Sequence, residues 1–153
     1  TALRGEIDTI GSDHSPAPPE MKATANFFAV WGGISGCQHG FPLLLSADLK
    51  RGPAAEVLPR LAGLLAANVA RRFRLRRKGR LAEGFDADFS LLDLTGSTVL
   101  SNADLLYRHR QGPYEGRRCG VSVMRTVLRG RTVFPADGAP GGRFLSRDSA
   151  IIR

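Results

Sequence analysis

At Gly79 the sequence changes its period. Before it, apolar residues recur at helical spacing, with Leu61, Leu64, Leu65, Val69 and Phe73 on one pattern. After it, the β-prone runs Phe89 to Leu94, Ser97 to Leu100, Val121 to Leu128 and Thr132 to Phe134 are separated by Gly, Asn and Pro. A pattern of period 3.6 does not suit a strand, nor one of period 2 a helix, so the two halves are committed to different structure. The chain of 153 residues is predicted to be helical first and mostly β afterwards.

Within the first half, Ile7 to Gly11 reads as a short strand running into the polar loop Ser12-Asp13-His14-Ser15-Pro16. Pro16, Pro18 and Pro19 keep the chain extended to about Ala23, and a structured loop of that length is more often functional than decorative. A glycine turn at Trp31-Gly32-Gly33 then leads into a helix ending near Lys50-Arg51-Gly52, and Pro59 suits the first position of a second helix. In the second half, the run from Val121 with Arg129-Gly130 predicts a strand entering a hairpin towards Thr132. The stretch Gly138 to Gly142 reads as a flexible lead into the tail.

Charge divides the chain near the same place. Residues 1–70 carry five basic and six acidic side chains, a net of −1, and residues 71–153 carry 17 basic and eight acidic, a net of +9. Seven basic residues fall in the ten positions 71–80: Arg71, Arg72, Arg74, Arg76, Arg77, Lys78 and Arg80. Such a run suits phosphate contacts, but only Phe73 interrupts it as an aromatic, and basic residues at a helix end are favoured by the dipole. A solvated or subunit-facing helix end is the expectation, with no nucleic-acid partner. Cys37 and Cys119 are isolated thiols without CxxC spacing, which points to a reducing, cytoplasmic setting. The longest apolar run, Phe41 to Leu45, falls far short of the roughly 20 residues that span a bilayer, so no membrane partner is expected.

The chemical signal sits in the polar loop. A carboxylate at the C-terminal end of a strand points to where ligands bind in α/β barrels, and beside a metal it can both ligate and accept a proton. Asp13 fits that description, as it also fits an Asp capping the next turn with His14 exposed. Gly32 and Gly33 fit either a close backbone approach to a ligand or a pre-helix turn of positive φ. His39 and His109 lack ligand spacing with His14 and are assigned no metal, and Asp86 with Asp88 reads as a structural pair entering a strand.

Several segments together resemble one family. Ser12-Asp13-His14-Ser15-Pro16, Pro18-Pro19-Glu20-Met21-Lys22 and Trp31-Gly32-Gly33-Ile34-Ser35-Gly36 are similar to the region around the eighth barrel strand of allantoinases. Those enzymes are cyclic amidohydrolases, beside dihydroorotases and dihydropyrimidinases. Ala67-Asn68-Val69-Ala70-Arg71-Arg72-Phe73 resembles the family's Thr-Asn-Ala-Ala helix, and Lys78 to Phe89 the segment that re-enters its small β domain. Tyr107-Arg108-His109 and Pro113-Tyr114-Glu115-Gly116 extend the likeness over nearly the whole chain.

The resemblance implies an α/β fold: residues 1–76 as the C-terminal end of a metal-dependent hydrolase (β/α)8 barrel, residues 77–153 as the C-terminal part of a composite β-sandwich domain. It implies hydrolysis of the hydantoin ring of allantoin to allantoate, in purine and nitrogen catabolism, at a binuclear zinc centre. Asp13 matches the family's catalytic, metal-binding aspartate, and Gly32 and Gly33 match a turn that faces the substrate; His14 is assigned to the substrate side as a partner that orients Asp13 or the substrate, with a plain hydrogen-bonding role as the alternative. Three departures stand out: Ala17 for a common Cys, Ala67 for the usual Thr, and Arg74 for a common Gly, the last two implying a lost helix cap and a lost helix stop worth roughly 1 kcal/mol each.

A complete barrel needs about 250 residues. The family's His-x-His pair, carboxylated lysine and further histidines have no counterpart among His14, His39 and His109. The expectation is therefore a C-terminal portion whose partner is the N-terminal barrel segment, a homo-oligomer when complete, and a chain that alone neither retains zinc nor turns over allantoin. Dihydroorotase or dihydropyrimidinase origin and a non-catalytic remnant or interaction module are the alternatives.

Overall fold

The computed structural model describes residues 6–135 and 141–145; positions 138–140 of the glycine-rich lead lie outside the described residues. The chain forms two compact units, neither a single stretch of sequence. One comprises Thr1–Ile10, Arg51–Asp93 and Val123–Arg153, the other Gly11–Lys50 and Leu94–Ser122.

The first unit is built on a helix in three parts: α2 (Ala54–Ala62), a π turn (Gly63–Ala67) and α3 (Asn68–Arg72), numbered after α1 (Cys37–Asp48) of the other unit. The parts follow without a break, since Ala62, Gly63, Ala67 and Asn68 all keep right-handed helical dihedrals. The expected start at Pro59 is corrected. The Pro53 carbonyl already accepts from the Glu56 and Val57 amides at 3.0 and 3.1 Å, so the helix begins at Ala54 and Pro59 lies inside it. An interior proline costs about 3 kcal/mol. Burial of Val57, Leu61 and Leu64, spaced as one helical face, returns about 2 kcal/mol each and offsets that loss.

The same continuity corrects the reading of Ala67, which stands inside the helix, so no N-cap is missing there. Nor is a helix stop missing at Arg74. Its φ of 57° is left-handed, the Leu75 amide donates to the Ala70 carbonyl at 2.8 Å and the Arg74 amide to Arg71 at 3.2 Å, the paired bonds of a Schellman motif. The stop forms with an arginine where glycine would be unstrained. Five residues on, Gly79 (φ 89°) returns so close to the helix that a Cβ would lie 2.6 Å from the Ala70 Cβ and 2.9 Å from the Ala66 carbonyl oxygen.

Ile7 to Gly11 do not form the expected strand. A strand exists only against a neighbour's hydrogen-bond ladder, and here the partners come from the helix. The Ile10 amide donates to the Leu64 carbonyl at 3.0 Å, and the Asn68 side chain donates to the Asp8 carbonyl at 2.8 Å. Leu64 lies within the π turn, where the irregular ladder leaves carbonyls open to outside donors.

Strands β1 (Phe89–Asp93), β4 (Ser122–Leu128, of which all but Ser122 belongs to this unit) and β5 (Arg131–Phe134) make a sheet in the order β1-β4-β5. The predicted hairpin is present: β4 and β5 pair antiparallel, with Leu128 opposite Arg131 and a register shift at Thr126/Val127. Arg129 and Gly130 turn it with φ of 49° and 77°, the positive values of a two-residue turn that matches strand twist. Asp88 holds that turn, its Oδ1 accepting from the Arg129 amide at 2.7 Å, while the Ala87 carbonyl accepts from Gly130 at 3.0 Å. Lys78 bridges Asp88 and Asp86, and Arg77 reaches Asp86 at 2.9 Å, so the two aspartates are structural. Burial works against the Lys78 charge, but hydrogen bonds to Asp88 and Asp86 outweigh it and raise its pKa. The Lys78 hydrogen bond is the main cause that lowers the Asp86 pKa, against a smaller effect of burial.

In the second unit α1 begins after the glycine turn and ends at Asp48, close to the predicted stop. Leu45 is fully buried and Asp48 nearly so. β2 (Thr98–Val99) pairs antiparallel with β3 (Arg118–Cys119), a strand too short for periodicity to reveal. α1 lies against β3, and the Gly120 amide donates to the Ser46 hydroxyl at 2.9 Å. Ala17, Leu100, Leu105, Cys119 and Val121 are buried in this unit.

Three substitutions test the first unit by chemical denaturation. Arg74→Gly should raise stability by about 1 kcal/mol by relieving left-handed strain, and Gly79→Ala should lower it by about 2 kcal/mol or more through overpacking and strain. The pH dependence follows from the ion cluster. Because the Asp86 pKa is lowered on folding, its contribution is present above the unfolded value of about 4 and lost as pH falls through the folded one. Because the Lys78 pKa is raised, its contribution is present below about 10.4 and lost as pH rises through the folded value. Asp86→Asn should cost on the order of 2 kcal/mol at pH 7 and reduce the acid-side slope; an unchanged slope would remove Asp86 from the cluster's energetics.

Candidate functional site

The polar loop and the glycine turn lie in the same unit, joined by a dense set of hydrogen bonds. The Ser15 amide donates to the Ile34 carbonyl at 2.9 Å and the Trp31 amide to Met21 at 3.0 Å. Lys22 Nζ donates to the carbonyls of Trp31 and Gly33 at 2.8 and 2.7 Å, and Trp31 Nε1 to that of Ser15 at 3.1 Å. Lys22 thus acts as a clamp on a turn that has no regular structure to satisfy its carbonyls, and the Trp31 ring is tied to the polar loop through Nε1.

His14 is brought to the start of α1. Its Nδ1 accepts from the Gly36 amide at 3.1 Å and the Cys37 amide at 3.4 Å, so a ring nitrogen does the work that a Ser or Asp oxygen does at most helix N-termini. With Nδ1 accepting, the hydrogen of the neutral ring belongs on Nε2. The next free amide, that of Gln38, donates to the Tyr107 hydroxyl, and the Tyr107 ring lies 4.6 Å from the His14 ring at 56°. Burial pushes the Tyr107 hydroxyl pKa up, keeping it a neutral acceptor.

Asp13 stands between these anchors, exposed, with φ of 43°. Its carboxylate has no hydrogen bond or ion pair among the described residues. A non-glycine residue in the left-handed region is uncommon and concentrates at functional positions.

Neither Gly32 nor Gly33 has positive φ, so the turn does not require glycine for that reason. Gly33 is required by approach, since a Cβ there would lie 2.4 Å from Ser15 Oγ and 2.6 Å from its carbonyl oxygen. Gly32 meets nothing within 4 Å and leaves its backbone open. Gly36 is likewise held to Ser12, whose carbonyl oxygen would be 2.9 Å from an added Cβ.

The residues do not make a metal centre. Among the described residues no three His, Cys, Asp or Glu side chains converge to hold an ion. Asp13 offers a carboxylate, but His14 Nδ1 is committed to the helix, and His39 packs edge-on to Tyr114 at 6.4 Å. Burial pulls the His39 pKa down, with Asp104 opposing. Tyr107 and Gln38 carry no site signal in the sequence: Tyr107 stands out only within Tyr107-Arg108-His109, where nothing indicates a contact with residues 14 and 38.

Over 147 residues, 94% of the chain, the sequence is 50% identical to the allantoinase of Rubrobacter xylanophilus, and over 148 residues 44% identical to allantoinases of Escherichia coli. Each match covers 32% of the relative, so the chain spans about a third of the length of these curated relatives. Among solved structures, the L-hydantoinase (dihydropyrimidinase) of Arthrobacter aurescens matches with a TM-score of 0.78 at 29% identity, covering 95% of this chain and 32% of that one. The dihydropyrimidinase of Brevibacillus agri matches with a TM-score of 0.78 at 27% identity, covering 86% and 29%. No protein-family model matches. Among the described residues no helix is long and apolar enough to cross a membrane.

The cap on α1 can be tested directly. His14→Ala should cost about 1 kcal/mol, while His14→Asn, which keeps a short acceptor, should recover most of it in urea denaturation. Equal losses in both would mean that the ring packs without capping.

Proposed function

We propose that this chain, an allantoinase-like amidohydrolase sequence, is the C-terminal portion of an enzyme that opens the hydantoin ring of allantoin to allantoate, in purine and nitrogen catabolism. The observation that carries this reading is the 50% identity to an allantoinase over 94% of the chain, combined with an exposed Asp13 in left-handed backbone whose carboxylate has no partner among the described residues. Hydantoinase neighbours at 27–29% identity support the wider amidohydrolase group. Dihydropyrimidinase or dihydroorotase activity is the less favoured reading.

In this proposal residues 1–76 close the end of a (β/α)8 barrel, and residues 77–153 complete a small β-sandwich domain. Each needs chain that lies in the other two thirds of the relatives' length. A binuclear zinc centre in the complete enzyme would polarise the ring carbonyl; of its donors this chain supplies the Asp13 carboxylate, and the remaining ligands must come from that other portion. Zinc sites normally use three or more protein ligands, so the centre cannot be held here alone.

The chemistry assigned to this chain's own residues is limited. Asp13 accepts the proton released as water adds to the ring carbonyl and delivers it to the ring nitrogen as the C–N bond breaks, leaving the carboxylate of the product. The exposure of Asp13 leaves its carboxylate open to a substrate. The backbone of Gly32 and Gly33 is assigned to the polar edge of the ring, where missing Cβ atoms permit close approach. His14 is assigned to the substrate side through Nε2, since Nδ1 is occupied.

Two measurements test the proposal. The chain alone should lose zinc on dialysis and leave allantoin intact; retention of stoichiometric zinc with turnover abolished by Asp13→Asn would overturn the need for a second portion. Co-expression with an upstream segment bearing a His-x-His pair should restore allantoin hydrolysis, and Asp13→Asn should then lower kcat by at least about 100-fold. A complex that assembles, binds metal and leaves allantoin intact would refute the substrate.

A further inference from the structure

We infer that Tyr107 is a positioning residue for Asp13, acting through His14. Residues on both sides of Asp13 are fixed to a single short segment, 34–37. Ser12 Oγ lies 3.3 Å from Cys37 Sγ, and its backbone fits against Gly36 only because Gly36 has no Cβ. His14 Nδ1 takes the Gly36 and Cys37 amides, and the Ser15 amide bonds to Ile34. With positions 12, 14 and 15 anchored, the conformation of Asp13 is set by what its neighbours require. Its left-handed φ of 43° is the outcome, although its own side chain makes no bond among the described residues that would favour it. A strained residue persists when the surrounding structure over-determines it.

Tyr107 completes that arrangement. Its ring packs on the imidazole at 4.6 Å, and its hydroxyl accepts the Gln38 amide next to the two amides His14 accepts. Tyr107 is itself held by Gln38, whose Nε2 donates to the Asp104 carbonyl at 3.0 Å and whose Oε1 accepts the Leu106 amide at 2.9 Å. The Asp13 carboxylate is thus aimed by a chain of contacts that begins 94 positions further along the sequence. If Tyr107 is removed, the imidazole loses its packing surface and the cap loosens, and Asp13 is free to relax to negative φ.

The role of this aim in catalysis rests on the proposed function of Asp13, but the positioning does not, and the two can be separated. In the full chain, the intraresidue HN–Hα nuclear Overhauser effect of Asp13 reports positive φ. It should be strong in the parent, fall to ordinary intensity in Tyr107→Ala and His14→Ala, and remain strong in Tyr107→Phe and His14→Asn, which keep the ring surface and the acceptor. The dispersed amide signals of α1 and of the β2–β3 pair, which belong to the same unit as Asp13, report folding in each variant. A strong Asp13 signal in folded Tyr107→Ala would overturn the inference, as would loss of it in both conservative variants. In the complex assembled with the upstream segment, Tyr107→Ala should lower kcat by about 100-fold with KM little changed. Loss of the Asp13 signal with kcat unchanged would refute the catalytic role of Asp13 and leave the positioning standing.

Discussion

Backbone amides without regular partners govern this chain. From Glu6 to Gly36 there is no α-helix or strand, only two short 3₁₀ turns, so the polar groups of some thirty residues need bonds from elsewhere. The sequence meets this demand with a few versatile side chains. Lys22 binds two carbonyls, His14 two amides, and Asn68 reaches the carbonyl of Asp8. Among the described residues no buried side-chain nitrogen or oxygen is left without a partner. An irregular segment bonded this way can hold Asp13 in a left-handed conformation that a helix or strand would not permit.

The basic run at residues 71–80 divides by use. Arg77 and Lys78 neutralise Asp86 and Asp88, Arg80 stacks over the Phe85 ring at 4.3 Å, and Arg71 and Arg72 lie in the last turn of α3, where positive charge opposes the dipole. Local structure therefore accounts for five of the seven basic residues in this run. The hairpin turn and the helix end are joined through Lys78 and Asp88, so electrostatics and backbone geometry serve one junction.

What was legible in the sequence had local causes. The hairpin at Arg129-Gly130, the helix ending near residue 50 and the structural role of Asp86 and Asp88 follow from turn chemistry and nearby charge. What was not legible depended on distant partners. Ile7 to Gly11 has strand composition, but composition cannot supply a ladder, and the Leu64 carbonyl claimed Ile10 instead. Pro59 resembles a helix start because its missing amide fits there; the bond between Pro53 and Val57 took precedence. The joint cap by His14 and Tyr107 was invisible because a histidine and a tyrosine so far apart carry no spacing signal. Asp13 stood out for its residue type and its loop, whereas its left-handed backbone is a product of packing.

The π turn at Gly63–Ala67 makes the long helix sensitive to counting. Each residue of an α-helix advances the face by about 100°, and the wider turn changes that advance once, between the face that buries Val57 and Leu61 and the one on which Ala70 meets Gly79. The helix therefore joins two rotational settings, one on each side of Leu64. Gaining or losing a single residue between them would turn Ala70 away from Gly79 while leaving every side chain chemically intact. Over this stretch the protein tolerates exchange of letters far better than a change in their number.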